Sequence, residues 1–357
     1  MNQSPDKPNT IQLGNTVIGS DNMPFIIAEL SGNHDQSLDK ALQMVDAAAH
    51  AGADAIKLQT YTANTMTLDV HEGDFFIDDP NNLWKGYSLH QLYQKAMTPW
   101  EWHQPLFERA QQLGMLAFST PFDSTALDYL EELNSPCYKI ASFENTDHAL
   151  LAAVAKTGKP VIMSTGMATL SELAESVEVL RENGCEELIL LKCTSNYPAR
   201  PVDANLNTLP HLAQLFGCQV GLSDHTTGIG VAVAGAALGA TVIEKHFVLD
   251  RSEGGVDADF SMEPNELRQL VEECRRAKDA LGKVYYGPTE REIASRKHRR
   301  SLYIAEDLEP GDQLTENNLR SVRPGSGLPP KYLKQFLGKY IKKKINKGTP
   351  LSWEHFE

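Results

Sequence analysis

Eight short runs rich in β-branched and apolar residues alternate with stretches of helical spacing, and this alternation constrains the fold more than any other feature. The runs are Phe25–Leu30, Ala55–Tyr61, Leu116–Phe122, Tyr138–Ser142, Val161–Gly166, Leu188–Ser195, Val220–His225 and Val242–Phe247. Between most of them, apolar residues recur at helical spacing and stop at a glycine. Leu38, Ala41, Leu42 and Val45 precede Gly52, and Leu150, Val154 and Ala155 precede Gly158. Leu170, Leu173, Val177 and Leu180 precede Gly184, and Leu267, Leu270, Val271 and Leu281 precede Gly282. Strand–helix alternation implies parallel strands joined by right-handed crossovers. Eight repeats predict an α/β fold of the (β/α)8 TIM-barrel type. A doubly wound open sheet is the alternative. Its glycine-rich dinucleotide fingerprint is missing after the first strand, where Ala28-Glu29-Leu30-Ser31-Gly32-Asn33-His34 stands instead.

The 357 residues are 41% apolar and 22% charged, which excludes a wholly disordered or fibrous chain. No run approaches the length of a membrane-spanning helix, so no membrane partner is expected. The stretch Met1–Ser20 is polar and lacks the apolar centre of a signal peptide. Five cysteines without CxxC spacing (Cys137, Cys185, Cys193, Cys218, Cys274) read as reduced thiols in a cytoplasmic protein. The net charge of −14 is uneven: residues 284–357 carry 14 Lys and Arg against 9 Asp and Glu, and the remainder 19 against 38. The change of sign, with the polar Gly287-Pro288 stretch, predicts a barrel domain 1–283, a linker 284–296 and a small domain 297–357. The small domain carries no recognisable nucleic-acid-binding motif, so its basic character is assigned to a face complementing the acidic barrel. Domains of about 60 residues seldom make a strong core alone, which favours docking on another surface.

The predicted strands begin apolar and finish polar: Glu29, Lys57 with Gln59, Ser119 with Thr120, Lys139 with Ser142, Ser164 with Thr165, Lys192 with Thr194 and Ser195, Ser223-Asp224-His225, and Glu244-Lys245-His246. In a barrel these ends converge on one face, where active sites of this fold lie. Lys57, Lys139, Lys192 and Lys245 would form a cationic cup suited to a small polyanion bearing phosphate and carboxylate. Strict alternation would set Lys139 and Ser142 on opposite faces, so at least one is expected beyond the strand end. His225 and His246, at the ends of neighbouring strands, could share a divalent metal, Mn2+ before Mg2+ or Co2+, with oxygen co-ligands.

These motifs resemble the sialic acid synthase family, whose members condense phosphoenolpyruvate with an amino-sugar aldehyde. The matching segments are Ile27–His34, Lys57-Leu58-Gln59-Thr60, Ser119-Thr120-Pro121-Phe122, Tyr138–Ser142, Ser164-Thr165-Gly166-Met167, Gly221–His225 and Glu244-Lys245-His246-Phe247. Ser301-Leu302-Tyr303, Gly311-Asp312, Val322-Arg323-Pro324-Gly325 and Leu337-Gly338-Lys339 resemble that family's C-terminal antifreeze-like (SAF) domain. The resemblance implies that Lys57, Thr120, Lys139, Ser142, Ser164, Ser195, Tyr197 and Ser223 hold phosphoenolpyruvate, and that His225 and His246 are the metal ligands. It implies that Glu29, Asp257 and Arg323 face the sugar, Arg323 reaching in from the partner subunit of a domain-swapped homodimer. Sialic-acid-type members carry Asn where Ser195 stands and Arg where Lys245 stands. Asn82–Leu89, Leu92-Tyr93, Thr98–His103, Ala141–Glu144 and Lys192–Ser195 resemble the branch that makes pseudaminic acid, which implies a 2,4-diacetamido-2,4,6-trideoxy hexose. Neuraminate, legionaminate and spore-coat branches are the alternatives, and a non-catalytic sugar-binding module is a remote one. Aromatic Phe75, Phe76, Trp84 and Tyr87 on the long loop after the second strand are candidates to wall that less polar sugar.

Overall fold

The computed structural model describes residues 10–80 and 82–355, so the first nine residues of the polar N-terminal stretch lie outside it. The chain divides into two compact units, Met1–Gly282 and Lys283–Glu357.

The first unit is a closed, all-parallel barrel in which each strand bonds its sequence neighbour and the last returns to the first. Its strands are β1 (Phe25–Glu29), β2 (Ala55–Thr60), β3 (Leu116–Pro121), β4 (Tyr138–Ile140), β5 (Val161–Ser164), β6 (Leu188–Cys193), β7 (Gln219–Ser223) and β8 (Val242–His246). Closure runs from Val242 opposite Phe25 to His246 opposite Glu29. The helices are α1 (Leu38–Ala51), α2 (His103–Gln112), α3 (Ser124–Glu132), α4 (His148–Ala155), α5 (Leu170–Glu182), α6 (Thr208–Phe216), α7 (Gly230–Ala237) and α8 (Pro264–Leu281). The barrel is therefore closed, not an open sheet.

Strand residues alternate between two cores. Ile26, Ala28, Ile56, Leu58, Tyr138, Ile140 and Ile243 pack outward against the helices. Phe25, Ile27, Phe118, Ile162, Ile189, Leu191 and Val242 fill the amino-terminal part of the interior, together with Ile11, Leu13 and Ile18. Those last three come from a hairpin, Ile11–Leu13 paired with Thr16–Ile18, which forms an apolar floor under the barrel. The sequence reading did not include this hairpin, although Gly14-Asn15 between apolar alternations is a turn signal.

All eight strands end one or two residues earlier than the sequence suggested. The ladder stops where the chain turns into each βα loop, so side chains of either parity can turn toward the mouth. Ser142 is such a case, lying beyond the end of β4 while Lys139 lies within it.

The loop between β2 and α2 carries a helix, Leu89–Ala96, started by a capping box between Ser88 and Gln91. The second unit pairs Ser301–Ile304 antiparallel with Leu319–Val322. It has its own core of Leu302, Ile304, Leu308, Leu314, Leu319, Phe336, Ile341, Ile345 and Leu351. Among the described residues no helix is long and apolar enough to cross a membrane.

Candidate active site

A cavity of about 350 Å³ opens among the carboxyl ends of the barrel strands. Nine of the residues assigned from sequence to phosphoenolpyruvate, the metal or the sugar's reacting end line it: Lys57, Lys139, Ser142, Ser164, Tyr197, Ser223, His225, His246 and Asp257. Three more lie immediately behind this lining. Glu29 pairs with Lys57 and accepts a hydrogen bond from Gln59 (2.9 Å). The Thr120 hydroxyl accepts from Lys57 Nζ (3.4 Å), and Ser195 Oγ lies 3.7 Å from Cys193 Sγ.

Alternation decides which lysines belong to the cavity. Lys57 and Lys139 share parity with the interior residues and are almost wholly buried. Lys192 and Lys245 have the opposite parity, and the expected four-lysine cup is corrected to two. Lys245 Nζ points outward to Asp224 (2.9 Å) and to the carbonyls of Thr226 (2.6 Å) and Gly228 (3.1 Å). Lys192 Nζ donates to the Cys193 carbonyl (2.9 Å). Asp224 is spent on Lys245.

The two interior lysines stand among two carboxylates. Lys57 pairs with Glu29 and lies 3.9 Å from Glu244, and Lys139 lies 3.4 Å from Glu244. Burial pushes the Glu29 carboxyl above its usual range. Burial would do the same to Glu244, but the Lys139 and Lys57 ammoniums reverse it and hold that carboxyl low. The cup is thus charge-balanced when empty.

Serine hydroxyls gather beside Lys139. Ser142 Oγ accepts from the Gly166 backbone N–H (3.1 Å), and Ser164 Oγ is buried without a hydrogen-bond partner. A Cβ on Gly166 would lie 2.2 Å from Ser195 Oγ and 2.6 Å from Ser142 Oγ. Only glycine permits this approach of three loops. Two lysines, free or lightly used hydroxyls and a backbone N–H make a donor set suited to a phosphate and a carboxylate.

The rings of His225 and His246 have centroids 5.3 Å apart. His225 Nδ1 donates to the Thr194 carbonyl (2.9 Å). His246 Nδ1 lies 3.3 Å from Ser31 Oγ and 3.6 Å from Asp257 Oδ2. The Thr194 carbonyl requires a proton on His225 Nδ1, which in the neutral ring leaves Nε2 as the lone-pair nitrogen of a metal-ligating imidazole, and the oxygens beside His246 Nδ1 favour the same tautomer there. Burial pushes His246 well below its usual pKa, which keeps it neutral. Among the described residues no third His, Cys, Asp or Glu completes a ligand cluster. Two imidazoles alone leave most coordination positions to water or substrate oxygens, so the residues present fit an open divalent site.

Asp257 is positioned by Asn33, whose Oδ1 accepts from the Asp257 N–H (3.1 Å) and whose Nδ2 donates to the Phe247 carbonyl and to Ser261. Burial raises the Asp257 carboxyl to about 6. The Tyr197 ring packs 4.4 Å from that of His225.

Of the four loop aromatics expected to wall a sugar, only Trp84 lines the cavity, tied down by its indole N–H to the Val256 carbonyl (2.8 Å). Phe76 and Tyr87 are exposed, and Phe75 is not part of the lining. Tyr61, Tyr93 and Phe122 line it instead. Sequence reasoning also gave no role to Gln59, Glu144 or Glu244, all in the lining. Glu244 and Gln59 had a signal, since each stands two positions from a predicted residue and so shares its interior parity, Glu244 with His246 and Gln59 with Lys57. Glu144 lies in a loop where parity says nothing. Its Oε2 is buried without a partner, and burial raises its carboxyl to about 7. Arg323 lies in the second unit, exposed, just after the strand Leu319–Val322.

Comparison with known proteins shows the family. The NeuB family matches residues 44–286, and the SAF domain matches residues 299–357. The chain is 43% identical to a pseudaminic acid synthase of Campylobacter jejuni, over 97% of this chain and all of that one. It is 37% identical to an N,N'-diacetyllegionaminic acid synthase of Legionella pneumophila, over 95% of this chain and 96% of that one. Its fold is similar to the crystal structure of an N-acetylneuraminic acid synthetase from Leptospira borgpetersenii in complex with citrate. That match has a TM-score of 0.71 at 36% identity and covers 81% of this chain and 95% of that one. The chain is an enzyme of the NeuB family, a TIM barrel followed by a SAF domain.

Proposed function

We propose that the chain is a pseudaminic acid synthase, a transferase that condenses phosphoenolpyruvate with 2,4-diacetamido-2,4,6-trideoxy-altrose and water to give pseudaminic acid and phosphate. The observation that carries this reading is the convergence, in one cavity, of two lysines, a serine cluster and a histidine pair, in a chain 43% identical to a pseudaminic acid synthase over nearly its whole length.

In this reading Lys57 and Lys139, with Ser142, Ser164, Ser195, Ser223, Thr120 and Tyr197, hold the phosphate and carboxylate of phosphoenolpyruvate. A divalent ion, Mn2+ before Mg2+ or Co2+, held by His225 and His246 would supply Lewis acidity to the aldehyde oxygen and a hydroxide for C2. Fixing both substrates in register accounts for much of the acceleration. The C3 carbon of phosphoenolpyruvate bonds to the aldehyde carbon, water oxygen adds at C2, and the C2–O bond to phosphate breaks. The leaving phosphate stays beside Lys57, Lys139 and the serines, which stabilise its charge. Glu29 and Asp257 orient the sugar or carry the proton. Arg323 of a second subunit completes the site in a domain-swapped homodimer working in the cytoplasm.

The test is mass spectrometry of the product formed from phosphoenolpyruvate and the trideoxy sugar, beside assays with N-acetylmannosamine and the legionaminic precursor. Preferential condensation of the altrose supports the reading. Preference for another hexose moves the enzyme to another branch, and no phosphate release with any sugar removes the synthase assignment.

A further inference from the structure

Beside the histidines and lysines the cavity has an extensive apolar lining, and most of it belongs to the loop between β2 and α2. In the loop helix, Leu89, Leu92, Tyr93 and Ala96 fall at i, i+3, i+4 and i+7 and form one stripe. A surface helix ordinarily buries such a stripe in a packed core. Here all four residues line the cavity, joined by Met66 and Ile77 of the same loop. Tyr61, at the end of β2, meets Tyr93 edge-on at 5.8 Å and Phe122 at 5.2 Å, closing the wall against the barrel.

The wall is held in place. Gln36 Nε2 donates to the carbonyls of Lys95 (3.0 Å) and Met97 (2.7 Å) at the end of the helix. A Cβ on Gly32 would lie 3.0 Å from the Ala96 backbone, so the helix rests directly on the loop that follows β1. A fixed apolar surface that faces a cavity gains free energy when a ligand covers it. Its aliphatic part, Met66, Ile77, Leu89 and Leu92, offers a hydroxyl group no partner.

We propose that this aliphatic wall seats the C6 methyl of the trideoxy sugar and discriminates against hexoses that carry a hydroxymethyl there. The inference rests on the synthase reading above: the aldehyde carbon must lie by His225 and His246 to react, and C6, five bonds away, is the carbon left to meet the aliphatic lining.

The experiment compares steady-state kinetics of wild type, Leu89→Asn and Ile77→Thr with the trideoxy altrose and with N-acetylmannosamine. A methyl's worth of apolar contact discriminates by roughly tenfold or more. The variants should raise KM for the trideoxy sugar by roughly that factor and leave KM for phosphoenolpyruvate unchanged. The kcat/KM ratio of the two sugars should shift toward N-acetylmannosamine by a similar factor, and Leu89→Met should retain the wild-type ratio. An unchanged ratio in both polar variants overturns the proposal. If Leu89→Asn fails to fold, Leu89→Ala replaces it, and an unchanged KM for the trideoxy sugar again overturns the proposal. Wild-type enzyme that prefers N-acetylmannosamine overturns the pseudaminic acid reading, and the assigned occupant falls with it.

Discussion

Replacing Lys245 should damage the fold, and replacing Lys139 should damage ligand binding, although the two look alike in the sequence. Lys245 Nζ is buried with Asp224 at 2.9 Å and also serves two backbone carbonyls that hold the loop bearing His225. Lys245→Met leaves Asp224 charged and buried without its partner, and such a break costs about 3–5 kcal/mol. The freed carbonyls of Thr226 and Gly228 lose charge-assisted donors, each worth about 1.5–3 kcal/mol, in a way that does not simply add. A loss of about 4 kcal/mol is expected in urea unfolding followed by far-ultraviolet circular dichroism. Adding Asp224→Asn removes the stranded charge and should recover about half of it, and Lys245→Arg, which keeps the charge and the donors, should lose less than Lys245→Met. By contrast, Lys139→Met should weaken phosphoenolpyruvate binding by roughly ten- to a hundredfold, the worth of one charge-assisted bond. A stable Lys245→Met protein with tenfold weaker phosphoenolpyruvate binding would refute the assignment of that lysine to the outer face.

The remaining expectations are independent of that one. Chelation should abolish turnover and Mn2+ restore it, and His225→Ala or His246→Ala should lose tight metal binding measured on the dialysed protein; full activity after rigorous chelation sinks the metal. Glu144 has its folded pKa raised from 4.5 to about 7, so folding holds its proton more tightly and stability falls as pH rises from about 4.5 to 7. Glu144→Gln should remove a loss of roughly 2–3 kcal/mol across that window, read as a flatter urea midpoint against pH, and a profile parallel to wild type contradicts it. Mixing Arg323→Ala subunits with His225→Ala subunits should restore part of the activity; no recovery after demonstrated subunit exchange shows that Arg323 does not complete a partner's site.

The repeat of strand and helix was legible because the barrel buries each strand on both faces, leaving eight compact apolar runs between glycine-stopped helices. The polar ends were legible as a group for the same reason: a buried strand carries a charge only where it reaches the mouth. Which polar residue faces the cavity was a finer question, set by a parity that runs through every strand. Counting inward from Phe25, Ile27 and Glu29 on β1, or from Val242, Glu244 and His246 on β8, places Lys245 outside, as observed. Past the strand ends parity fails, and so Glu144 and the loop aromatics could not be sorted. Trp84 reaches the cavity through a hydrogen bond to Val256, a contact 172 residues away in sequence that no local pattern encodes.

Parity also explains how the barrel tolerates ionised groups in its core. Glu29, Lys57, Lys139 and Glu244 are all interior by parity, and they stand on four of the eight strands. An unpaired charge at that depth would cost several kcal/mol, so each sign requires the other nearby. The pairing is incomplete at the side facing the cavity, where Glu244 Oε2 and Ser164 Oγ have no hydrogen-bond partner. An anionic ligand entering there does not meet a field of net positive charge. It meets two ammoniums that can turn from one oxygen partner to another, while Gln59 still holds the Glu29 carboxylate. Exchange of one oxygen partner for another needs little reorganisation, because the donors are already desolvated and oriented before the ligand arrives. The balanced interior is thus a stored set of donors, stable when empty and matched to an anion when filled.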